Sequence, residues 1–188
     1  MKLFVSVLSV ALTIMWGIRM PFSSKAMKKE TIDWIKENIH TSSRVLDVGA
    51  GMGTYSDLLT PEGYENIDCV EIFEPYIIKY KLHTKYTKVW EDNVTEFLLW
   101  YMYDLVIMGD VLEHLSIDDS KRIIQEIKDN CKALVVAVPY TYPQGEHYGN
   151  KYEAHIQDDL TREIFEERYK GLTFLGEQDG IGVWVWLK

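Results

Sequence analysis

The sequence has few cysteines and fewer basic than acidic residues. Only Cys69 and Cys131 are present among 188 residues, and both lie in or beside apolar runs typical of buried strands. This favours buried free thiols over a disulfide or a paired metal site and fits a reducing compartment, so we predict a cytoplasmic protein. Twenty basic and twenty-nine acidic residues give a formal charge of -9, which disfavours binding to a nucleic-acid backbone.

The chain also lacks an apolar run long enough to cross a bilayer easily. The apolar residues 3–16 follow Lys2, as in a signal peptide, but the run is short, and no small-residue cleavage site follows it. Three interpretations of residues 1–23 stay open: a membrane anchor through residues 3–16, a helix that packs on the body or on a second copy in a homodimer, and an extension upstream of a later start. The length predicts one domain over residues 24–188.

From residue 24 onwards, strand-like and helix-like segments alternate along the chain. Such alternation predicts a mostly parallel sheet covered by helices on both faces. We also expect a helix beginning near Asp110, and an irregular stretch over residues 139–156 that is long enough to be an active-site loop. The predicted strands cover residues 44–48, 67–72, 87–90, 104–108, 133–138, 172–176 and 183–187.

Three glycines follow the first predicted strand. Gly49, Gly51 and Gly53 would let the backbone turn tightly and approach a ligand closely. Asp47 places a carboxylate just before this turn. A dinucleotide fingerprint would need a small residue where Thr54 stands, and a P-loop would need a Gly-Lys-Ser/Thr triplet, which the sequence lacks. A nicotinamide oxidoreductase is therefore a weaker alternative.

Acidic and amide side chains follow the next two predicted strands. Glu71 ends the second strand, twenty-two residues after Gly49, and is placed to accept hydrogen bonds from both hydroxyls of a ribose. Asp92 and Asn93 follow the third strand and offer acceptors for an exocyclic amine of adenine. The spacing therefore predicts a bound nucleoside.

These stretches, together with the run from Tyr103 to Leu115, resemble the class I S-adenosylmethionine-dependent methyltransferases. The resemblance is close over residues 45–115 and extends in outline to Lys188. It implies a Rossmann-like α/β fold, a three-layer sandwich whose seven-stranded, mostly parallel sheet has an antiparallel last strand. It also implies S-adenosylmethionine as cofactor, with the methionine part over residues 49–53, the ribose on Glu71 and the adenine near Asp92. The predicted cofactor-binding residues are Asp47, Gly49, Ala50, Gly51, Gly53, Glu71, Ile72, Asp92, Asn93 and Asp110.

A second group of polar residues surrounds the end of the fourth predicted strand. If the segment after Gly109 is helical, Asp110, Glu113 and His114 lie at positions i, i+3 and i+4 on one face. With His155 from the irregular stretch, this set resembles the divalent-metal constellation of the small-RNA and ubiquinone-pathway O-methyltransferases, with Asp110 in place of a glutamate. A metal held by these four residues would polarise an acceptor hydroxyl. The alternative is that Glu113 and His114 only cap and orient the loop.

The irregular stretch contains tyrosines and histidines suited to a polar ring. We predict His155, His114 and Tyr140 as base or acceptor-orienting groups, acting on a small-molecule or glycan-like acceptor. The histidines favour transfer to oxygen over transfer to nitrogen. The alternative function is a sensor or interaction protein that binds the cofactor without transferring a methyl group.

Overall fold

The computed structural model describes residues 24–147 and 149–188, which form one seven-stranded sheet. Its strands are β1 (Val45–Val48), β2 (Ile67–Glu71), β3 (Lys88–Glu91), β4 (Leu105–Gly109), β5 (Ala133–Pro139), β6 (Thr173–Gln178) and β7 (Ile181–Leu187). They lie in the order β3-β2-β1-β4-β5-β7-β6. The pairs among β1 to β5 are parallel, whereas β7 runs antiparallel to both of its neighbours. The predicted sheet with an antiparallel last strand is confirmed.

Helices cover both faces of this sheet. Helices α1, α2 and α3 pack on one face, with Ile35, Leu59 and Ile77 in one apolar cluster. Helices α4 and α5 pack on the other face, with Ile127 and Phe165 in a second cluster. The result is the predicted three-layer sandwich. The helices are α1 (Lys28–Asn38), α2 (Thr54–Leu59), α3 (Glu74–Lys79), α4 (Ile117–Asn130) and α5 (Arg162–Arg168).

The central strands are apolar on both sides because both sides are covered. In β4, Leu105 and Ile107 belong to the first apolar cluster, and Val106 and Met108 belong to the second. Successive side chains of a strand point to opposite faces, so a strand between two helical layers needs a continuous apolar run. This explains why β4 and β5 appear in the sequence as short apolar runs without polar alternation.

Strand order fixes where a ligand can bind. β1 lies between β2 and β4, so the chain leaves β1 and β4 in opposite directions, and a crevice opens beyond their carboxyl ends. The glycine turn follows β1, Glu71 ends β2 and Asp110 follows β4. All three segments therefore meet at this edge of the sheet.

The predicted α-helix beginning near Asp110 is wrong. Asp110 has a left-handed backbone with a φ of 60°, and only a 3-10 turn, Leu112–His114, follows it. Helix α4 begins later because Ser116 caps it, accepting a hydrogen bond from the Asp119 amide at 3.1 Å. The segment between β4 and α4 is therefore a compact loop.

The predictions for residues 1–23, including an anchor over residues 3–16, lie outside the described residues. Within residues 24–147 and 149–188, none of the helices combines the length and apolar character that a bilayer span requires. The cytoplasmic location and the homodimer stay predictions.

Candidate functional site

The turn after β1 depends on glycine geometry. Gly49 and Gly51 have φ angles of 66° and 52°, in the left-handed region that glycine adopts without a side-chain clash. A Cβ atom on Gly49 would lie 2.7 Å from Cγ2 of Val111. The Gly53 amide closes the turn by donating to the Ala50 carbonyl at 2.7 Å. The turn therefore presents bare backbone at the edge of the sheet.

Glu71 connects the end of β2 to this turn. Its carboxylate accepts hydrogen bonds from the backbone amides of Gly51 and Phe73, each at 2.9 Å. Burial raises the pKa of Glu71, and these two amides oppose the rise. A carboxylate has about four lone-pair sites, so capacity remains for a ligand hydroxyl. The contact of Glu71 with a ribose stays a prediction.

Two cavities in the described part of the chain meet along the turn. The smaller has a volume of about 140 Å³ and the larger about 730 Å³. Both border Gly49, Gly51 and Asp110, so one elongated ligand can extend from one cavity into the other. Of the other predicted cofactor residues, Glu71, Ile72, Asp92 and Asn93 line the smaller cavity, Asp47 and Ala50 line the larger, and Gly53 lines neither.

Sequence reasoning missed two polar pairs near the larger cavity. The Tyr86 hydroxyl donates to the buried Asp47 carboxylate, and burial raises the pKa of Asp47 to about 7. Nζ of Lys28, on α1, donates to the hydroxyl of Tyr55, on α2, at 3.0 Å. The partners are 39 and 27 residues apart, so no local pattern could reveal them.

Glu113, His114 and His155 form a compact group beside the larger cavity, which we call the Glu-His-His cluster. One candidate ligand atom from each residue lies within 4.8 Å of the others. Neither carboxylate oxygen of Glu113 has a hydrogen-bond partner among the described residues, and burial raises the pKa of Glu113 well above its usual value. A buried carboxylate without a partner is costly unless a proton or a cation neutralises it. The donor set therefore fits a divalent metal ion.

Backbone carbonyls orient both histidines of this cluster. Nδ1 of His114 lies 3.2 Å from the Ala154 carbonyl oxygen, and Nδ1 of His155 lies 2.6 Å from that of Tyr142. A proton on Nδ1 of each ring leaves Nε2 as the lone-pair nitrogen. Burial, reinforced by the neighbouring His155, lowers the pKa of His114 to about 4. His114 is therefore neutral near pH 7, as a metal ligand must be.

Contacts between distant segments hold the cluster together. The amides of Ile156 and Gln157 donate to the Glu113 carbonyl at 2.7 and 3.0 Å. Nε2 of the buried Gln157 donates to the carbonyls of Leu112 and Leu115 at 2.9 and 3.1 Å. Gln157 therefore fastens the 3-10 turn to the end of the irregular stretch, a role that the sequence analysis missed.

Asp110 and Tyr140 lie in the site but outside the Glu-His-His cluster. Asp110 lines both cavities, and its amide donates to the Ala137 carbonyl at 2.9 Å. The predicted helical face that would align Asp110 with the cluster does not form. Tyr140 lines the larger cavity, while its hydroxyl donates to Glu177 at 3.2 Å. The catalytic role of Tyr140 stays a prediction.

Comparison with protein families identifies the domain that carries this site. A family model described as a methyltransferase domain matches residues 24–162. The chain belongs to this family. The predicted methyltransferase family and enzyme class are confirmed, and S-adenosylmethionine, the predicted cofactor, is bound in a solved structure that shares the fold. A comparison with curated protein sequences finds no match.

Solved structures share the fold of this methyltransferase. The methyltransferase domain of bacterial CtHen1-CN has a TM-score of 0.62 at 19% identity, covering 85% of this chain and 96% of that one. Magnesium protoporphyrin IX methyltransferase from Synechocystis PCC 6803, with bound S-adenosylmethionine, has a TM-score of 0.57 at 15% identity, covering 85% and 77%. The bifunctional kinase-methyltransferase WbdD has a TM-score of 0.57 at 17% identity, covering 84% and 37%. At these identities the likeness shows the fold.

Proposed function

We propose that this methyltransferase transfers its methyl group to an oxygen atom of a small-molecule or glycan-like acceptor, with a divalent metal ion at the Glu-His-His cluster. The observation that carries the proposal is the buried Glu113 carboxylate, which lacks a hydrogen-bond partner among the described residues and lies beside two histidines. A mixed carboxylate and imidazole set suits a first-row transition ion better than Mg²⁺. Such an ion, when bound, polarises an acceptor hydroxyl.

The two cavities support a placement for the cofactor. The adenosine extends from the smaller cavity across the glycine turn that the two cavities share, with Glu71 accepting from the ribose hydroxyls and Asp92 from the adenine amine. The one side-chain oxygen of Asn93 already accepts from the Thr95 amide at 3.0 Å, whereas Asp92, whose Oδ1 accepts from the Asn93 amide at 2.7 Å, has a second oxygen for that contact. The methionine part lies over residues 49–53, and the methyl group points into the larger cavity.

The larger cavity supports the proposal of a small-molecule or glycan-like acceptor. Its volume of about 730 Å³ suits a small molecule, and tyrosines line it. Aromatic faces and hydroxyl groups together suit a sugar or an aromatic ring. Methyl transfer to such a hydroxyl requires positioning of the acceptor and removal of its proton, and the cluster lies beside this cavity.

The test combines metal replacement with an acceptor panel. The protein is treated with a chelator and then given Mn²⁺, Co²⁺ or Mg²⁺. It is incubated with S-adenosylmethionine and with hydroxyl or amine acceptors. The release of adenosylhomocysteine and the mass of the product are measured. We expect turnover on hydroxyl acceptors, and we expect Mn²⁺ or Co²⁺ to restore this turnover better than Mg²⁺ does. The Glu113→Gln variant should lose this turnover, whereas Glu146→Gln, which alters an exposed carboxylate in the irregular stretch, should keep it. Metal-independent turnover on amines alone, equal in both variants, would overturn the proposal.

A further inference from the structure

A buried lysine, Lys28, lies at the start of α1, one hydrogen bond behind Tyr55; Tyr55 lines the larger cavity and Lys28 itself does not. Lys28 is only 7% exposed, and Ser24, four residues earlier, lines that cavity. The preceding residue, Met27, packs in the apolar core, and its carbonyl accepts from the Thr31 hydroxyl at 2.7 Å. The backbone around Lys28 is therefore held independently of the lysine's charge.

Among the described residues, no carboxylate lies within salt-bridge distance of the Lys28 ammonium. Its Nζ donates one hydrogen bond, to the Tyr55 hydroxyl at 3.0 Å, lies 4.4 Å from the Tyr55 ring centroid, and forms no salt bridge in residues 24–147 and 149–188. Burial alone would lower the pKa of Lys28, but its hydrogen bond to Tyr55 and the attraction of Asp110 and Asp47 raise it, so the amine is protonated. A buried ammonium with donors to spare favours an anionic ligand.

Tyr55 connects this lysine to the cavity wall. The ring lies against Gly109, where a Cβ atom would be 2.5 Å from Cε2 of Tyr55, and the residue lines the larger cavity. Because the Tyr55 oxygen accepts from Lys28, its own proton remains for donation. Burial raises the pKa of Tyr55, so the phenol keeps that proton. Lys28 and Tyr55 together offer an ammonium and a hydroxyl donor near the glycine turn.

The geometry points to Lys28 and Tyr55 as the binding site for the carboxylate of the cofactor's methionine part. Asp47 and Asp110, which line the same cavity near the glycine turn, are acidic, so they suit the cofactor's ammonium and repel its carboxylate when ionised. Lys28 supplies the complementary charge. This assignment rests on the proposed position of the methionine part over residues 49–53.

Titration calorimetry with two ligands tests the assignment: S-adenosylhomocysteine and its decarboxylated analogue. Wild-type protein should bind S-adenosylhomocysteine more tightly by about 10- to 100-fold, because the analogue lacks a charged hydrogen-bond acceptor. In Lys28→Met protein we expect the affinity for S-adenosylhomocysteine to fall by about the same factor, with the affinity for the analogue changed by less than about threefold. Tyr55→Phe keeps the ring against Gly109. This variant should lower the affinity for S-adenosylhomocysteine by about 2- to 10-fold and leave the affinity for the analogue unchanged.

Lys85→Met is the matched control. Lys85 lies beside the same turn, but its Nζ donates to the Met52 carbonyl at 2.9 Å and to the Asp57 carboxylate at 2.6 Å. This variant should keep the wild-type affinity ratio between the two ligands. Equal losses for both ligands in Lys28→Met and Tyr55→Phe proteins, or no loss for either ligand, would overturn the assignment. Failure of wild-type protein to bind either ligand would instead refute the proposed cofactor placement, and the assignment with it.

Discussion

The proposed cofactor half of the site and its proposed acceptor half are built in different ways. The cofactor half, comprising the glycine turn, Glu71 and residues 92–93, is joined by contacts between adjacent strand ends, such as the Gly51 amide on Glu71. The acceptor half, comprising the Glu-His-His cluster and residues 139–156, joins segments about forty residues apart, such as His114 and Ala154. The arrangement of the first half follows from the order of the strands in the sheet, whereas the arrangement of the second half depends on how a long irregular stretch packs.

This difference predicts that the two halves can be disabled separately. A change in the glycine turn should remove cofactor binding and leave the cluster in place. A change in the cluster should slow transfer and leave cofactor affinity intact. Variants that affect both properties equally would show that the halves are not independent.

Gly51→Val should have the largest effect, because valine at a φ of 52° is strained and its side chain would stand where we propose that the cofactor approaches the backbone. We expect binding of S-adenosylhomocysteine to be abolished in calorimetry while circular dichroism shows an intact fold. Gly145→Val is the matched control, since a Cβ atom on Gly145 meets no atom within 4 Å. Retained cofactor affinity in the Gly51 variant would contradict the cofactor assignment.

Asp47→Asn should change how stability depends on pH. Burial raises the pKa of Asp47 from 3.8 to about 7 in the folded protein, so its contribution to stability is complete below about pH 4 and is lost as the pH rises through about 7. A tenfold change in proton affinity corresponds to about 1.4 kcal/mol. The free energy of unfolding of the wild-type protein should therefore fall by up to about 4 kcal/mol relative to that of the variant over this range. Urea unfolding at several pH values measures this difference. Parallel stability curves for the two proteins would refute it.

His155→Ala should slow methyl transfer by about 100-fold and leave the Kd for S-adenosylhomocysteine unchanged, because His155 lies in the acceptor half. Steady-state kinetics and calorimetry on the same preparation measure both quantities. His83→Ala, which alters an exposed histidine on another turn, serves as control and should leave both unchanged. An unaffected transfer rate would remove His155 from the site.

Gln157→Leu should have the smallest effect. The variant leaves the carbonyls of Leu112 and Leu115 without their donor, which should lower the free energy of unfolding by about 1–3 kcal/mol and reduce turnover while sparing cofactor affinity. Gln125→Leu is the control, because Gln125 is exposed on α4 and its side chain forms a hydrogen bond only with Asp129 of the same helix. We expect its free energy of unfolding to change by less than about 0.5 kcal/mol. If both variants were equally stable, the support that Gln157 gives to the 3-10 turn would be negligible.

Sequence reasoning succeeded where local pattern decides the structure. The central strands β4 and β5 are short apolar runs because both faces of the sheet are covered there, and the glycine turn follows from the backbone angles it needs. It failed at Asp110, where the i, i+3, i+4 spacing suggested a helix but the left-handed Asp110 and the Ser116 cap delay α4. It also missed Tyr86 and Gln157, whose partners are fixed only by tertiary packing.

On this account, the acceptor half holds a metal ion independently of the cofactor half. The most direct test is a titration of Mn²⁺ into wild-type protein and into Glu113→Gln protein, each saturated with S-adenosylhomocysteine. The account predicts uptake of one ion per chain by wild-type protein and none by the variant, with S-adenosylhomocysteine bound equally tightly by both. Equal uptake by both proteins, or no uptake by either, would contradict it.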